Sequence, residues 1–349
     1  MNTEIVSVCP DSIDETIIER AAAIIKRGGL VAFPTETVYG LGADATNIDA
    51  AKSIYAAKGR PQDNPLIIHI HDPREAEKYT YTSELYYKLA EEFMPGPITV
   101  VLPSRESVPR ATRGGLDTVA VRCPENPIAR ALIKASGVPI AAPSANLSGS
   151  PSPTSAKHVI ADMSGRCEMI IDGGECDFGL ESTIVKIEDE TSVTLLRPGK
   201  ITVGDLEAVG IRVNIADAVL DQLKDDQVAL SPGMKYKHYA PSADVVLLDS
   251  PFAVVCAGYI KGFAAQNIAI LAYDEDISLY RELLPYAEVY PFGKKEDQLL
   301  QARSLFALLR QADERGFDYI FAPLPSTDGV SLAIYNRMIR AAAHKIIRL

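Results

Sequence analysis

Lys58-Gly59-Arg60-Pro61-Gln62-Asp63-Asn64-Pro65-Leu66 separates two runs of different period. Before it, residues 49–57 read as a helix; after it, Ile67, Ile68 and Ile70 are β-branched and read as a strand. Gly59 lets the backbone turn where a side chain would clash, and Pro61 and Pro65 fix φ and stiffen the loop. A stiff loop carrying Lys58 and Arg60 suits a fixed anionic ligand, because ordering it costs little entropy. The same composition also fits a solvated helix-to-strand turn, and the loop alone does not decide between the two.

Upstream, Ile13, Ile17, Ala21, Ile24 and Ile25 recur at helical spacing and stop at Gly28-Gly29. Residues 30–33 predict a short buried strand. The stretch Pro34-Thr35-Glu36-Thr37-Val38-Tyr39-Gly40-Leu41-Gly42-Ala43-Asp44-Ala45 is rich in glycine and hydroxyls, which argues against a core element. Downstream, strands are predicted at 66–70, 98–102, 119–122, 139–142, 169–172, 182–187 and 193–196, with helices at 81–93, 127–136 and 155–163. This mixture without strict βα alternation predicts an α/β domain with a twisted mixed sheet.

The length of 349 residues predicts about two domains. Acidic and small residues gather at 216–227, followed by Ser231-Pro232-Gly233-Met234-Lys235-Tyr236-Lys237-His238-Tyr239-Ala240-Pro241. From Asp244 onward, strand-like runs at 245–248, 268–272, 288–290 and 319–322 alternate with helical stretches. That pattern predicts a smaller, Rossmann-like parallel α/β domain. The expected division is 1–211, a linker at 212–242, and 243–349.

A net charge of −11 argues against a chain whose task is gripping duplex nucleic acid, yet leaves room for a local cationic pocket. The five cysteines lack CxxC spacing and read as reduced thiols. Early acids (Glu4, Asp11, Asp14, Glu15) do not suit a signal or transit peptide, and the apolar run at 251–260 is too short to span a bilayer. A cytoplasmic location with no membrane partner is expected.

Gly40-x-Gly42-x-x-Ala45 formally matches a dinucleotide fingerprint, but six residues separate the strand end at Phe33 from the first glycine. No Walker lysine loop is present, and Ser144 lacks a nucleophile elbow. His69-Ile70-His71 places two imidazoles on one strand face, as a metal pair or as structural or substrate contacts. Arg122 ends an apolar strand, either pairing with a surface acid at a sheet edge or clamping a carboxylate. Ala142-Pro143-Ser144-Ala145-Asn146 supplies small residues and donors for phosphate or ribose, or a plain turn. Glu181-Ser182-Thr183 opens a strand and Leu196-Arg197-Pro198-Gly199 closes another. Cations and hydroxyls thus recur at strand ends, where α/β proteins bind ligands.

These motifs together resemble the YrdC-type L-threonylcarbamoyl-AMP synthases. The likeness spans about residues 12–210, and the segment at 231–241 with the α/β tail resembles the longer, two-domain branch. The resemblance implies condensation of L-threonine, bicarbonate or CO2 and ATP to threonylcarbamoyl-AMP and pyrophosphate. The product would pass to a separate tRNA threonylcarbamoyl transferase, with tRNA binding by this chain at most weak. It implies a cationic cleft in which Lys58 and Arg60 are catalytic. The nucleotide would be bound by these two with Asn64, Thr118, Ser144, Asn146, Ser152, Arg197, Tyr236 and His238. Threonine would be bound by Thr35, His69, Arg122, Ala142 and Ser182. Magnesium is expected on the phosphates, with no protein ligand assigned. The segment at 231–241 is expected to act as a lid or, alternatively, a surface tether. Two competing readings are an RNA-binding module with a cationic groove, disfavoured by the charge and the absence of Trp, and a carbamoyl-transfer domain as in hydrogenase maturation factors.

Overall fold

The computed structural model describes residues 2–221 and 239–349. Tyr236, His238 and the rest of the expected lid before Tyr239 lie outside the described residues. Contacts divide what is described into two units, 2–148 with 152–221 and 149–151 with 239–349.

The first unit begins β1 (Glu4–Ser7), α1 (Glu15–Lys26), β2 (Val31–Phe33), β3 (Gly40–Asp44), α2 (Ile48–Lys58), β4 (Ile67–His69), α3 (Glu84–Phe93), β5 (Ile98–Pro103) and β6 (Thr118–Arg122). It continues with α4 (Pro127–Ser136), β7 (Ile140–Ala141), α5 (Ala156–Met163), β8 (Met169–Asp172), β9 (Thr183–Ile187), β10 (Ser192–Arg197), α6 (Val203–Ala208) and β11 (Arg212–Ile215). The strands form one mixed sheet in the order β1-β8-β2-β3-β7-β4-β6-β5-β9-β10-β11. The mixed-sheet α/β architecture is the one expected.

Local chemistry fixes the elements around the opening loop. The Asn47 carboxamide accepts from the N–H groups of Asp49 and Ala50 and starts α2. Gly59 ends it in the left-handed region at φ +62°, donating back to the carbonyls of Ala56 and Tyr55. On α1, Ile18, Ala21, Ala22, Ile24 and Ile25 face inward and pack with Ile128, Leu132 and Ile133 of α4 against Val31, Phe33, Ile140 and Ile171 of the sheet. Each such aliphatic side chain contributes roughly 1.5–3 kcal/mol on burial.

Three expectations need correction. The glycine-rich stretch at 34–45 does enter the core: β3 is an interior strand, buried along most of its length. Gly42 permits this, since a Cβ there would lie 2.6 Å from the Phe33 ring and 2.7 Å from Ile140. Second, the two histidines do not share a strand face. β4 stops at His69, and His71 turns away to meet Glu75 at 2.7 Å. Third, β6 lies between β4 and β5, so Arg122 is not on a sheet edge.

The second unit contains β12 (Asp244–Asp249), α7 (Ala253–Ile260), β13 (Ile268–Ala272), α8 (Ile277–Leu283), β14 (Glu288–Pro291), α9 (Gln298–Arg315), β15 (Tyr319–Pro323), α10 (Ser331–Ala341) and β16 (Ile346–Arg348). Its five strands, in the order β14-β13-β15-β12-β16, are all parallel. This is the smaller parallel α/β domain the alternation predicts.

Candidate functional site: a polar row across the first sheet

Strand register lines up the functional side chains. His69 of β4 lies opposite Arg122 of β6, and Arg122 opposite Thr99 of β5. Thr99 is opposite Ile184 of β9, which faces Arg197 of β10. The register shifts between Leu195 and Arg197, a bulge that re-aims the Arg197 side chain. Its Nε donates to the Ser182 carbonyl at 3.1 Å and its Nη2 to Ser182 Oγ at 3.1 Å. Ser182 Oγ is in turn 2.8 Å from Thr99 Oγ1. One bonded chain therefore joins Arg197, Ser182 and Thr99 to the strand position beside Arg122.

Arg122 is 4% exposed and donates through Nη2 to Glu36 Oε1 at 2.6 Å. Its Nε is buried and has no hydrogen-bond partner among the described residues. Glu36 sits in the loop before β3, where Thr35 Oγ1 donates to the Val38 carbonyl at 2.6 Å and holds the turn. The Ser152 hydroxyl donates to Glu181 Oε1.

A second cluster lies at the amino end of β4. Ala142 N–H donates to the Ile67 carbonyl at 3.0 Å, and Ser144 bridges to Gly40 just beyond. Lys58, the last residue of α2, is 3% exposed; its Nζ donates to the carbonyls of Ser144, at 2.6 Å, and Asn146. Arg60 curls over its own loop, donating to the carbonyls of Asn64 at 3.3 Å and Pro65 at 3.1 Å. Asn64 Oδ1 is buried without a partner among the described residues. Thr118 starts β6, and strand alternation puts Thr118, Ala120 and Arg122 on one face.

The sequence-predicted residues thus separate along the strands. Lys58, Arg60, Asn64, Thr118, Ser144 and Asn146 gather at the amino ends of β4 and β6, with His69, Arg122 and Ser182 at the carboxyl end and Ala142 between. At about 3.3 Å per residue, Thr118 and Arg122 are about 13 Å apart. Arg197 is bonded to Ser182, and Ser152 to Glu181. Sequence reasoning did not single out Glu36, Glu181 or Thr99. The two acids carried a weak signal, each being a lone carboxylate in a stretch of hydroxyls, glycine and apolar residues.

His69 is fully enclosed against Phe33, with Nδ1 3.3 Å from the Ile140 carbonyl. Burial first, and the Arg122 cation second, push its pKa down to about 3. The neutral imidazole is a poor candidate for a group that titrates during turnover near pH 7. Because its folded pKa lies below the usual 6.5, protons favour the unfolded chain: this contribution is complete above about pH 6.5 and is lost as pH falls towards 3. A His69→Gln variant should show a shallower loss of stability between pH 6.5 and 4 in urea titrations; an unchanged slope would refute this account.

Among the described residues, no cluster of three or more His, Cys, Asp or Glu side chains could hold a metal ion, and no helix is long and apolar enough to cross a membrane.

The family described as "Telomere recombination", which groups Sua5, YciO and YrdC, matches residues 23–199 of this chain. The chain belongs to the Sua5/YciO/YrdC family. Residues 201–343 match a second description, "Threonylcarbamoyl-AMP synthase, C-terminal domain". The Threonylcarbamoyl-AMP synthase of Pyrococcus abyssi is 44% identical over 348 residues, covering 97% of this chain and 98% of that one. That of Bacillus subtilis is 43% identical, covering 97% and 96%. The crystal structure of P. abyssi Sua5 complexed with L-threonine has a TM-score of 0.90 at 44% identity, covering 99% of this chain and all of that one. E. coli YciO has a TM-score of 0.53 at 25% identity and covers 58% of this chain and 99% of its own. Within this Sua5/YciO/YrdC chain, both clusters of the polar row fall inside the matched 23–199 span.

Proposed function

We propose that this chain is a threonylcarbamoyl-AMP synthase, condensing L-threonine, bicarbonate or CO2 and ATP into threonylcarbamoyl-AMP and pyrophosphate. The observation that carries this reading is the end-to-end match to a relative named Threonylcarbamoyl-AMP synthase. The two clusters on the first sheet give the reaction a site with two ends.

The threonine amine first adds to the carbon of CO2 and loses a proton, giving a carbamate. A carbamate oxygen then attacks the α-phosphorus of ATP, the bond from phosphorus to the bridging oxygen breaks, and pyrophosphate leaves with that electron pair. Such transfers depend on positioning and charge stabilisation rather than covalent work by the protein. At the carboxyl end, Arg122 binds the threonine carboxylate through the Nε and Nη atoms not directed at Glu36, with Thr35, His69, Ala142 and Ser182 around the amino acid. At the amino end, Lys58 and Arg60 face the phosphates, with Asn64, Thr118, Ser144 and Asn146 on the nucleotide. Ser152 and Arg197 reach the phosphates from the Ser182 side. Arg122 Nε and Asn64 Oδ1, two of the buried side-chain atoms without a hydrogen-bond partner among the described residues, fall one at each end, where a ligand spanning both would meet them.

Magnesium enters with ATP as part of the substrate. The metal would be held largely by phosphate oxygens and water, so dedicated carboxylate ligands need not exist. The product would feed a separate transferase acting on a tRNA adenosine, and the enzyme would work in the cytoplasm. The deciding assay is pyrophosphate release with each component withheld in turn. Release should require threonine, bicarbonate and ATP together; release without threonine, or none with all three, would overturn the proposal.

A further inference from the structure

The second unit has a cavity of its own. Connections β12–α7–β13 and β13–α8–β14 run one way along the sheet, and β14–α9–β15 and β15–α10–β16 run back. Right-handed crossovers put helices of opposite travel on opposite faces. The chain therefore leaves the neighbouring strands β12 and β15 towards opposite faces, and the crevice at their carboxyl ends is where open α/β sheets bind ligands. A cavity of about 470 Å³ occupies this crevice, drawing on the carboxyl ends of four of the five strands through Asp249, Tyr273, Lys295, Gln298 and Ser331.

Ser331 is the telling residue. It opens α10, is 5% exposed and lines the cavity, and its hydroxyl has no hydrogen-bond partner among the described residues. Its N–H donates to Gln298 Oε1 at 3.2 Å, which fixes the start of the helix. Val330 at the N-cap position offers no capping side chain; the Ser331 N–H is taken by Gln298 and that of Ala333 by the Val330 carbonyl, which leaves the Leu332 N–H and the Ser331 hydroxyl as donors for an anion.

The rest of the wall narrows the ligand. Asp276 lies 3.1 Å from Lys295 and Asp249 3.6 Å from Arg348, so each acid of the wall already has a cation beside it. This balance opposes a di- or triphosphate but suits a single anionic group attached to hydroxyls that donate to carboxylates. The β12–α7 loop reads Asp249-Ser250-Pro251-Phe252 and contains no glycine, so it lacks the close backbone approach a dinucleotide pyrophosphate needs. The volume falls in the range of sites that enclose ligands larger than a free amino acid or phosphate ion. We propose that the second unit binds a nucleoside monophosphate at the carboxyl edge of its sheet, with the phosphate on Ser331 and the start of α10 and the ribose hydroxyls on Asp249.

Equilibrium dialysis of AMP against the full-length chain tests this. The wild type should bind one equivalent that Ser331→Asp abolishes, over and above any held by the synthase site. Ser331→Asp places a carboxylate where the phosphate would lie, and an acid is welcome in the first turn of a helix. Ser331→Ala should weaken that equivalent about 10-fold or more, the range for losing a hydrogen bond to a charged group. Lys295→Glu alters a half-exposed side chain and should weaken it similarly, which keeps the test valid if Ser331→Asp does not fold. Pyrophosphate release should be unchanged in all three variants, so failure of the synthase assignment would show separately. AMP binding that is identical in wild type, Ser331→Asp and Lys295→Glu overturns the proposal. So does inorganic phosphate competing as effectively as AMP.

Discussion

Lys58→Ala is expected to lower turnover for pyrophosphate release about 10²–10³-fold, the range for losing one charge-stabilising donor from a preorganised site. Lys58 is buried, and its ammonium is held by two carbonyls, of Ser144 and Asn146, on the loop after β7. The charge is therefore fixed before substrate arrives and needs no rearrangement as negative charge builds on the departing pyrophosphate. Two companion variants separate charge from packing. Lys58→Met keeps most of the side-chain volume and removes the charge, so it should fall with the alanine variant. Lys58→Arg keeps the charge, but a planar fork does not reproduce a point charge seated between two carbonyls, so rescue should be partial. Wild-type pyrophosphate release from Lys58→Met would remove Lys58 from the chemistry and leave it as a tie between α2 and the Ser144 loop.

Much of this architecture is readable in the residues, and the failures share a cause. The helix at 127–136 and the strand at 169–172 are found where periodicity, an N1 proline and a following glycine place them. β1 and β11 are not, because an edge strand with mostly exposed side chains carries neither an apolar run nor strict alternation. β3 is missed for the opposite reason: it is so tightly enclosed that glycine and alanine replace the bulky residues that advertise a core strand. At the site, the cations were visible because Lys and Arg at strand ends are conspicuous in an acidic chain. Their partners were not. That Glu36 reaches Arg122 across 86 positions, or that Thr99 touches Ser182 across 83, depends on strand order, which no local pattern encodes.

The Arg122–Glu36 pair shows why substitution at this site needs a second variant to be read correctly. Both side chains are about 5% exposed, so Arg122→Ala leaves a buried carboxylate without its counter-ion. Breaking such a pair from one side costs about 3–5 kcal/mol, and the variant should melt well below the wild type. If Arg122 also clamps threonine, the requirement for threonine should rise about 10–150-fold, the equivalent of one charged hydrogen bond, while that for ATP moves much less. A fall in activity alone does not separate these effects, since a displaced Glu36 loop would also disturb Thr35. The double variant Arg122→Met with Glu36→Gln does separate them. It removes both charges while keeping the volume, so it should recover most of the lost stability, because a buried pair contributes little over an uncharged replacement. It should not recover threonine affinity, because no cation remains for the carboxylate. Recovery of threonine affinity in the double variant, or an equal rise in the threonine and ATP requirements of Arg122→Ala, would mean that Arg122 serves only to anchor Glu36. The substrate carboxylate would then have to be held by another cation of the row, of which Arg197, two strands beyond β5, is the nearest in register.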